Sequence, residues 1–246
     1  MAAITEKAVR VRPVFLVSYV LLVLLAAFPC RGQFEGVVET KNLTRDEMGR
    51  PHEYVMTLWI KKDMVKVINS AIGSTPGTTM IYRNDMRIAW ILNDESNTYY
   101  AIPHEITNQE SGPERTNPVA PKYSLKRTRK VRRILGYPAE QIVITQKGQR
   151  TVVWGTKKLR NLSIALSKTL GDRESGNGTG WTGEITKMGL YPLASSTVIR
   201  GKVAESQEVT KIELRALPPE LFEVPPTYKE QQADPMLRGL KERLEK

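Results

Sequence analysis

The chain has one cysteine, two histidines and four phenylalanines in 246 residues. Each shortage closes a class of function. The single cysteine, Cys30, lies before the patterned sequence begins, so no internal disulfide can staple the body of the chain. Small extracellular folds usually depend on such staples; this one must rely on an ordinary apolar core. His52 and His104 have no second ligand at i+2 or i+4, so neither starts a zinc motif. No Gly-x-Ser-x-Gly elbow and no phosphate loop is present, and the glycines of 171–180 lack a Gly-Lys-Ser/Thr ending. Acid pairs such as Asp94-Glu95 fall in turns, and no base stands beside a nucleophile in a recognisable pattern. The expectation is a protein that is not an enzyme, with no metal and no cofactor.

A long apolar run is also missing from the body, but the N-terminus carries a short one. Lys7, Arg10 and Arg12 precede the largely aliphatic stretch Val14–Phe28, and Cys30 and Gly32 supply small residues at its exit. A basic head, a short apolar stretch and a small-residue exit describe a secretory signal. A membrane anchor needs about 20 apolar residues, more than stand here. Residues 1–32 are therefore expected to be a cleaved signal and the protein to be exported, to a periplasm, a cell surface or the medium. Phe28-Pro29 before Cys30 argues against a lipidated cysteine. The 214 residues from 33 to 246 suit one all-β domain.

Positive charge is plentiful. The full chain carries +11; the segment 1–32 takes four cations and one acid with it, leaving +8. The excess concentrates at Lys122, Lys126, Arg127, Arg129, Lys130, Arg132 and Arg133, with no acid among them. Nucleic acid is not expected as a partner of an exported protein. The plain reading is a solvated strand edge, where like charge discourages edge-to-edge pairing. The functional one is attraction of Lys126, Arg127, Arg129, Lys130, Arg132 and Arg133 to an anionic envelope surface.

From Phe34 onward apolar and polar residues alternate with period two. Strands are expected at Gln33–Asn42, His52–Lys61, Met64–Asn69, Thr78–Arg83, Met86–Leu92 and Thr98–Ile102. The segment 103–122 breaks the pattern as a long proline-rich loop. Further strands follow at Lys130–Leu135, Glu140–Gln146, Arg150–Trp154, Leu193–Val203 and Glu208–Ala216. One helix, capped by Thr156, spans Lys157–Leu170 with an apolar stripe of Leu159, Leu162, Leu166 and Leu170, and Gly171 is its expected exit. The glycine-rich segment 171–183 reads as flexible, Leu217–Tyr228 as a proline-rich closing segment, and 233–246 as an amphipathic helix. These elements imply a mainly β fold: a strongly curved antiparallel sheet, or incomplete barrel, with the helix packed in or across its concave face. The domain runs over 33–232.

Three segments carry a resemblance: Phe34-Glu-Gly-Val-Val, then Gly136-Tyr137 with the later Val153-Trp154-Gly155-Thr156-Lys157-Lys158-Leu159, and Leu221-Phe222-Glu223-Val224-Pro225-Pro226-Thr227-Tyr228-Lys229. Their order and spacing resemble an uncharacterised bacterial exported family, a domain of unknown function, whose members look like the LolA/LolB-type lipoprotein carriers. The resemblance implies an unclosed barrel whose hollow is lined by helices and, in the carriers, shelters acyl chains. Thr227 stands where that family often has glycine and Ala139 where relatives often have cysteine; no functional residue is carried over.

The expected function is binding of a hydrophobic or amphiphilic ligand, a lipid or a lipoprotein acyl chain, between sheet and helix. Met56, Leu58, Trp90, Leu92, Leu162 and Leu166 are its candidate lining, although any one of them taken singly reads more readily as plain core. Trp59, on the other side of its strand from Met56, is expected against another element or a membrane. The alternative is a structural envelope protein that docks on an anionic surface through segment 122–133. Oligomeric state is left open.

Overall fold

A computed structural model describes residues 33–46, 48–71, 77–103, 123–146, 148–174 and 181–231; within the helix 160–174, side chains are described at 160–166 and 169. The expected signal, the loop 104–122, His104 and the C-terminal helix 233–246 lie outside the described residues.

Twelve strands form one open sheet. The first six are β1 (Glu35–Arg45), β2 (Pro51–Lys61), β3 (Met64–Ala71), β4 (Thr78–Arg83), β5 (Ile88–Asn93) and β6 (Thr98–Pro103). The next five are β7 (Ser124–Ile134), β8 (Tyr137–Gln146), β9 (Gln149–Thr156), β10 (Tyr191–Ile199) and β11 (Lys202–Leu214); β12 (Lys229–Glu230) closes the chain's run of strands. Their order is β12-β6-β5-β4-β3-β2-β1-β11-β10-β9-β8-β7. Two meanders, β1–β6 and β7–β11, are thus joined at one seam where β1 pairs with β11. All neighbours are antiparallel except the short β12–β6 pair. The sheet does not close, so the expected mainly β, unclosed architecture is what the chain adopts.

Between β9 and β10 lie a 3-10 turn (Lys157–Leu159), helix α1 (Arg160–Glu174) and helix α2 (Trp181–Lys187). Helix α1 touches β3 and β4 on one side and β10 on the other. Five strand spacings separate β4 from β10, about 24 Å on a flat sheet, close to the roughly 22 Å length of the 15-residue helix.

Both sheet faces are covered. Val38, Leu58, Ile60, Val65, Val67 and Tyr82 meet Leu162, Ala165 and Leu166 of α1 on the concave side. On the convex side Val37, Ile81, Trp90 and Leu92 pack beneath Leu217 and Phe222 of the closing segment, with Trp59 alongside. Val37 and Val38, adjacent in β1, are 3% and 0% exposed, so the strand is buried on both faces there. That closing segment runs as a strap across the strands. It contacts β3 and β4 through the 3-10 turn Pro219–Phe222 and ends in β12 on the sheet edge. A third cluster joins Ile142, Ile144 and Val153 to Ile185 of α2 and to Leu190.

Several boundaries differ from those the sequence suggested. Helix α1 continues through Gly171 to Glu174; glycine permits a helix exit without forcing one, at about 1 kcal/mol when it stays helical. The segment read as flexible, 171–183, takes in the end of α1 and the first turn of α2. The break between the last two long strands is at Arg200-Gly201, both with positive φ (50° and 80°), and Leu135-Gly136 repeats this geometry (50° and 79°). Two-residue turns of this kind usually advertise themselves as Asn-Gly or Asp-Gly. With arginine and leucine in the first place, the strands look continuous or the turn is misplaced.

Candidate functional site

Cross-strand registry defines what faces the helices. Thr40 pairs with Met56, and Met56 with Asn69; Val38 pairs with Leu58, and Leu58 with Val67; Met80 pairs with Val67. Paired residues share a face, so Met56, Leu58, Val67, Asn69 and Met80 all point to the concave side. There they bound a cavity of about 250 Å³. Tyr82 of β4, Tyr191 and Pro192 of β10, and Gln207 of β11 complete its sheet wall. Ser163 and Leu166 of α1 and Thr182 and Thr186 of α2 form the opposite wall. Thr182 and Thr186 are four apart, one helical turn, which sets both on the side of α2 facing the hollow.

The walls are mainly aliphatic and thioether. Their polar groups are neutral amides and hydroxyls, with no charged side chain among the described lining residues. The Ser163 hydroxyl donates to the Leu190 carbonyl at 3.3 Å, tying α1 to the start of β10. Tyr191 is fully enclosed, and burial pushes its phenol well above the ordinary tyrosine value, so it is neutral at every ordinary pH. Two buried polar atoms, the Thr40 hydroxyl and Asn69 Oδ1, have no hydrogen-bond partner among the described residues. Both flank Met56 in one cross-strand row.

Of the six lining residues named from the sequence, Met56, Leu58 and Leu166 meet at the cavity. Leu162 is fully buried in the same core without lining the hollow. Trp90 and Leu92 lie elsewhere. Trp90 pairs with Ile81 and Leu92 with Thr79, which puts them on the convex face under the strap. Every residue from Ile88 to Leu92 is apolar, so alternation could not choose the inward side; the smaller Ala89, opposite Tyr82, faces inward. Trp59 packs against the convex cluster, whose members come from the strands and the strap. Asn69, Thr182, Thr186 and Gln207 were missed because polar residues on an apolar face read as loop or surface.

The basic run forms edge strand β7. Its pairing with β8 slips between Arg127 and Val131, where Thr128 donates to Gln141 Oε1 at 3.0 Å. Charge and a bulge together make a poor template for another strand. Arg127 is held by Glu140, Arg132 stacks 4.4 Å over the Trp154 ring, and Arg133 donates to the Gly136 carbonyl at 3.1 Å. Lys126, Arg129 and Lys130 are exposed and make no ion pair among the described residues. His52 is exposed and lies 3.5 Å from Asp46. Among the described residues no group of three or more His, Cys, Asp or Glu is placed to hold a metal.

An open antiparallel sheet, one face strapped and the other bounding a small, partly open hollow under two helices, defines a β-sheet protein with a cavity on its concave side. The chain belongs to the family described as Domain of unknown function (DUF4412), whose model matches residues 34–228. The match runs to Tyr228 and so takes in the strap. No curated protein matches the sequence. Among solved structures, an uncharacterized conserved protein from Thermus thermophilus is similar at 11% identity and a TM-score of 0.43, covering 80% of this chain and 90% of that one. PNGF-II follows at 13% identity and 0.39, covering 86% of this chain and 34% of its own. MucB in complex with MucA(peri) has 14% identity and 0.36, with 78% and 55% covered. Likenesses at these scores say nothing about what this chain binds.

Proposed function

We propose that the chain is a non-enzymatic exported protein of the bacterial periplasm or cell surface. It binds the apolar tail of a small amphiphile between sheet and helices, as a carrier or sensor of the LolA/LolB type. The observation that carries this reading is the cavity of about 250 Å³ walled by Met56, Leu58, Val67, Met80 and Leu166. Well-packed cores leave few voids larger than a water molecule. At about 30 Å³ per water-sized group, the space takes about eight methylene-sized groups. That is one short acyl chain, or the end of a longer one. At about 0.8 kcal/mol per methylene, its burial contributes about 6 kcal/mol, which gives a Kd in the tens of micromolar or weaker once association costs enter. No bond is made or broken; Met56 and Met80 let the wall adapt to tails of different shape.

The test is mass spectrometry of a solvent extract from residues 33–246, exported and purified without detergent. A stoichiometric amphiphile, present in wild type and lost in a folded Leu166→Glu variant, is the expected result. An extract that stays empty after incubation with membrane lipids overturns the reading.

A second reading rests on Lys126, Arg129 and Lys130, the three cations of β7 whose side chains make no ion pair, ring contact or hydrogen bond among the described residues. They would dock the sheet edge on an anionic envelope surface. Binding to vesicles of anionic lipid should then weaken steeply with salt; salt-independent binding, or none, removes it.

A further inference from the structure

Among the described residues the cavity wall holds five neutral amide and aliphatic hydroxyl side chains, Asn69, Ser163, Thr182, Thr186 and Gln207, besides two tyrosine phenols, and no charged one. A carboxylate or phosphate drawn inside would have no counter-ion, and an unpaired buried charge costs several kcal/mol. Asn69 shows what the hollow would favour instead. Its Oδ1 is buried without a partner, and no hydrogen bond among the described residues fixes its carboxamide. A buried unpaired carbonyl oxygen costs about 1–3 kcal/mol, and an amide with its broad χ2 can turn to meet a partner at little cost. Such a group gains most from a ligand that brings a donor to it.

We infer that the cavity takes an uncharged polar end, a hydroxyl or a carboxamide, with the Asn69 carboxamide as its anchor, and excludes the corresponding carboxylate. This rests on the proposed cavity binding and adds to it the chemical class of the ligand. Selectivity comes from the absence of a cation among the described wall residues as much as from the presence of the amide, because a lysine or arginine there would reverse the preference. The three cations of β7 do not supply one, since none of them lines the hollow.

Octanamide and octanoate, matched in length and differing in charge, test this by calorimetric titration into residues 33–246 at about pH 8, where the carboxylate is ionised. Octanamide is expected to bind, and octanoate to bind at least about 100-fold more weakly, in line with the cost of an unpaired buried charge. In an Asn69→Leu variant that keeps the wild-type circular dichroism and melting temperature, octanamide should bind about tenfold more weakly, the loss of one hydrogen bond. Octanoate binding as tightly as octanamide to the wild type overturns the inference and leaves the cavity as a site for apolar tails with the head group outside. Unchanged octanamide affinity in Asn69→Leu removes Asn69 as the anchor. Binding of neither probe to the wild type overturns the underlying reading as well.

Discussion

The Glu35 carboxylate accepts the backbone N–H of Leu217 at 2.7 Å, joining the first residue of β1 to the first residue of the strap across 182 positions of sequence. Lys61 completes the joint. Its ammonium lies 3.3 Å from the same carboxylate oxygen and donates to the Leu217 carbonyl. Further along, Arg83 pairs with Asp85 and Glu223 and donates to the Phe222 carbonyl at 3.4 Å, and the Tyr228 hydroxyl donates to Asp94 at 2.6 Å. Charged and polar contacts at both margins hold the strap while Phe222 fills the centre.

The anchor at Glu35 should make the strap acid-sensitive. The Leu217 N–H, more than Lys61, holds the Glu35 carboxyl below the ordinary glutamate value. A carboxyl whose pKa is depressed by folding contributes stability that is complete above its unfolded pKa, about 4.3, and is lost as pH falls through the folded value. Urea midpoints of the wild type should therefore drop from about pH 5 downward more steeply than those of Glu35→Gln. Parallel curves would mean that the strap is not anchored there.

Phe222→Ala removes a side chain that is 0% exposed from the middle of the convex cluster. The expected loss is about 3–5 kcal/mol, read from chemical denaturation. Because Phe222 and the cavity lie on opposite faces of the sheet, ligand affinity in the surviving folded fraction should be unchanged.

Thr40→Val should raise stability by about 1 kcal/mol. The hydroxyl is completely buried and has no partner among the described residues, so the near-isosteric methyl removes a desolvation cost and leaves the shape intact. A destabilised Thr40→Val protein would show that the hydroxyl does find a partner in solution.

Two glycines should respond oppositely to alanine. A Cβ on Gly36 would stand 2.1 Å from the Glu213 carbonyl oxygen across the β1–β11 seam. Gly36→Ala should cost at least about 3 kcal/mol. Gly183, inside α2, has open space where the Cβ would go, and Gly183→Ala should stabilise by up to about 1 kcal/mol. Thermal unfolding of the two variants provides the comparison.

Much of this architecture could be read from the residues alone. Strands such as β2 and β4 alternate cleanly or end at recognisable turns, and their boundaries fall within a residue of expectation. What escaped had weak local signals. Strand β5 is apolar on both sides, so the side facing the helices is fixed by pairing with β4, which local patterning does not contain. Helix α2 is short, follows a glycine-rich stretch and presents threonines to the hollow. The acceptor left open at Asn69 becomes visible only when its neighbours are in place. A polar residue in a strand looks the same whether it meets solvent or a cavity.

The single seam has a consequence for how the molecule is made. Apart from the β9–β10 connection, which carries both helices, each meander needs only neighbouring hairpins, contacts that close quickly because the intervening loops are short. Pairing β1 with β11 must wait until the chain is synthesised past Leu214, and the strap comes later still. The hollow spans that seam: Met56, Asn69 and Met80 come from the first meander, Tyr191 and Gln207 from the second. Neither half alone forms the hollow. A molecule bound in the finished cavity clasps both halves at once, so the seam would open last in the loaded protein and first in the unloaded one.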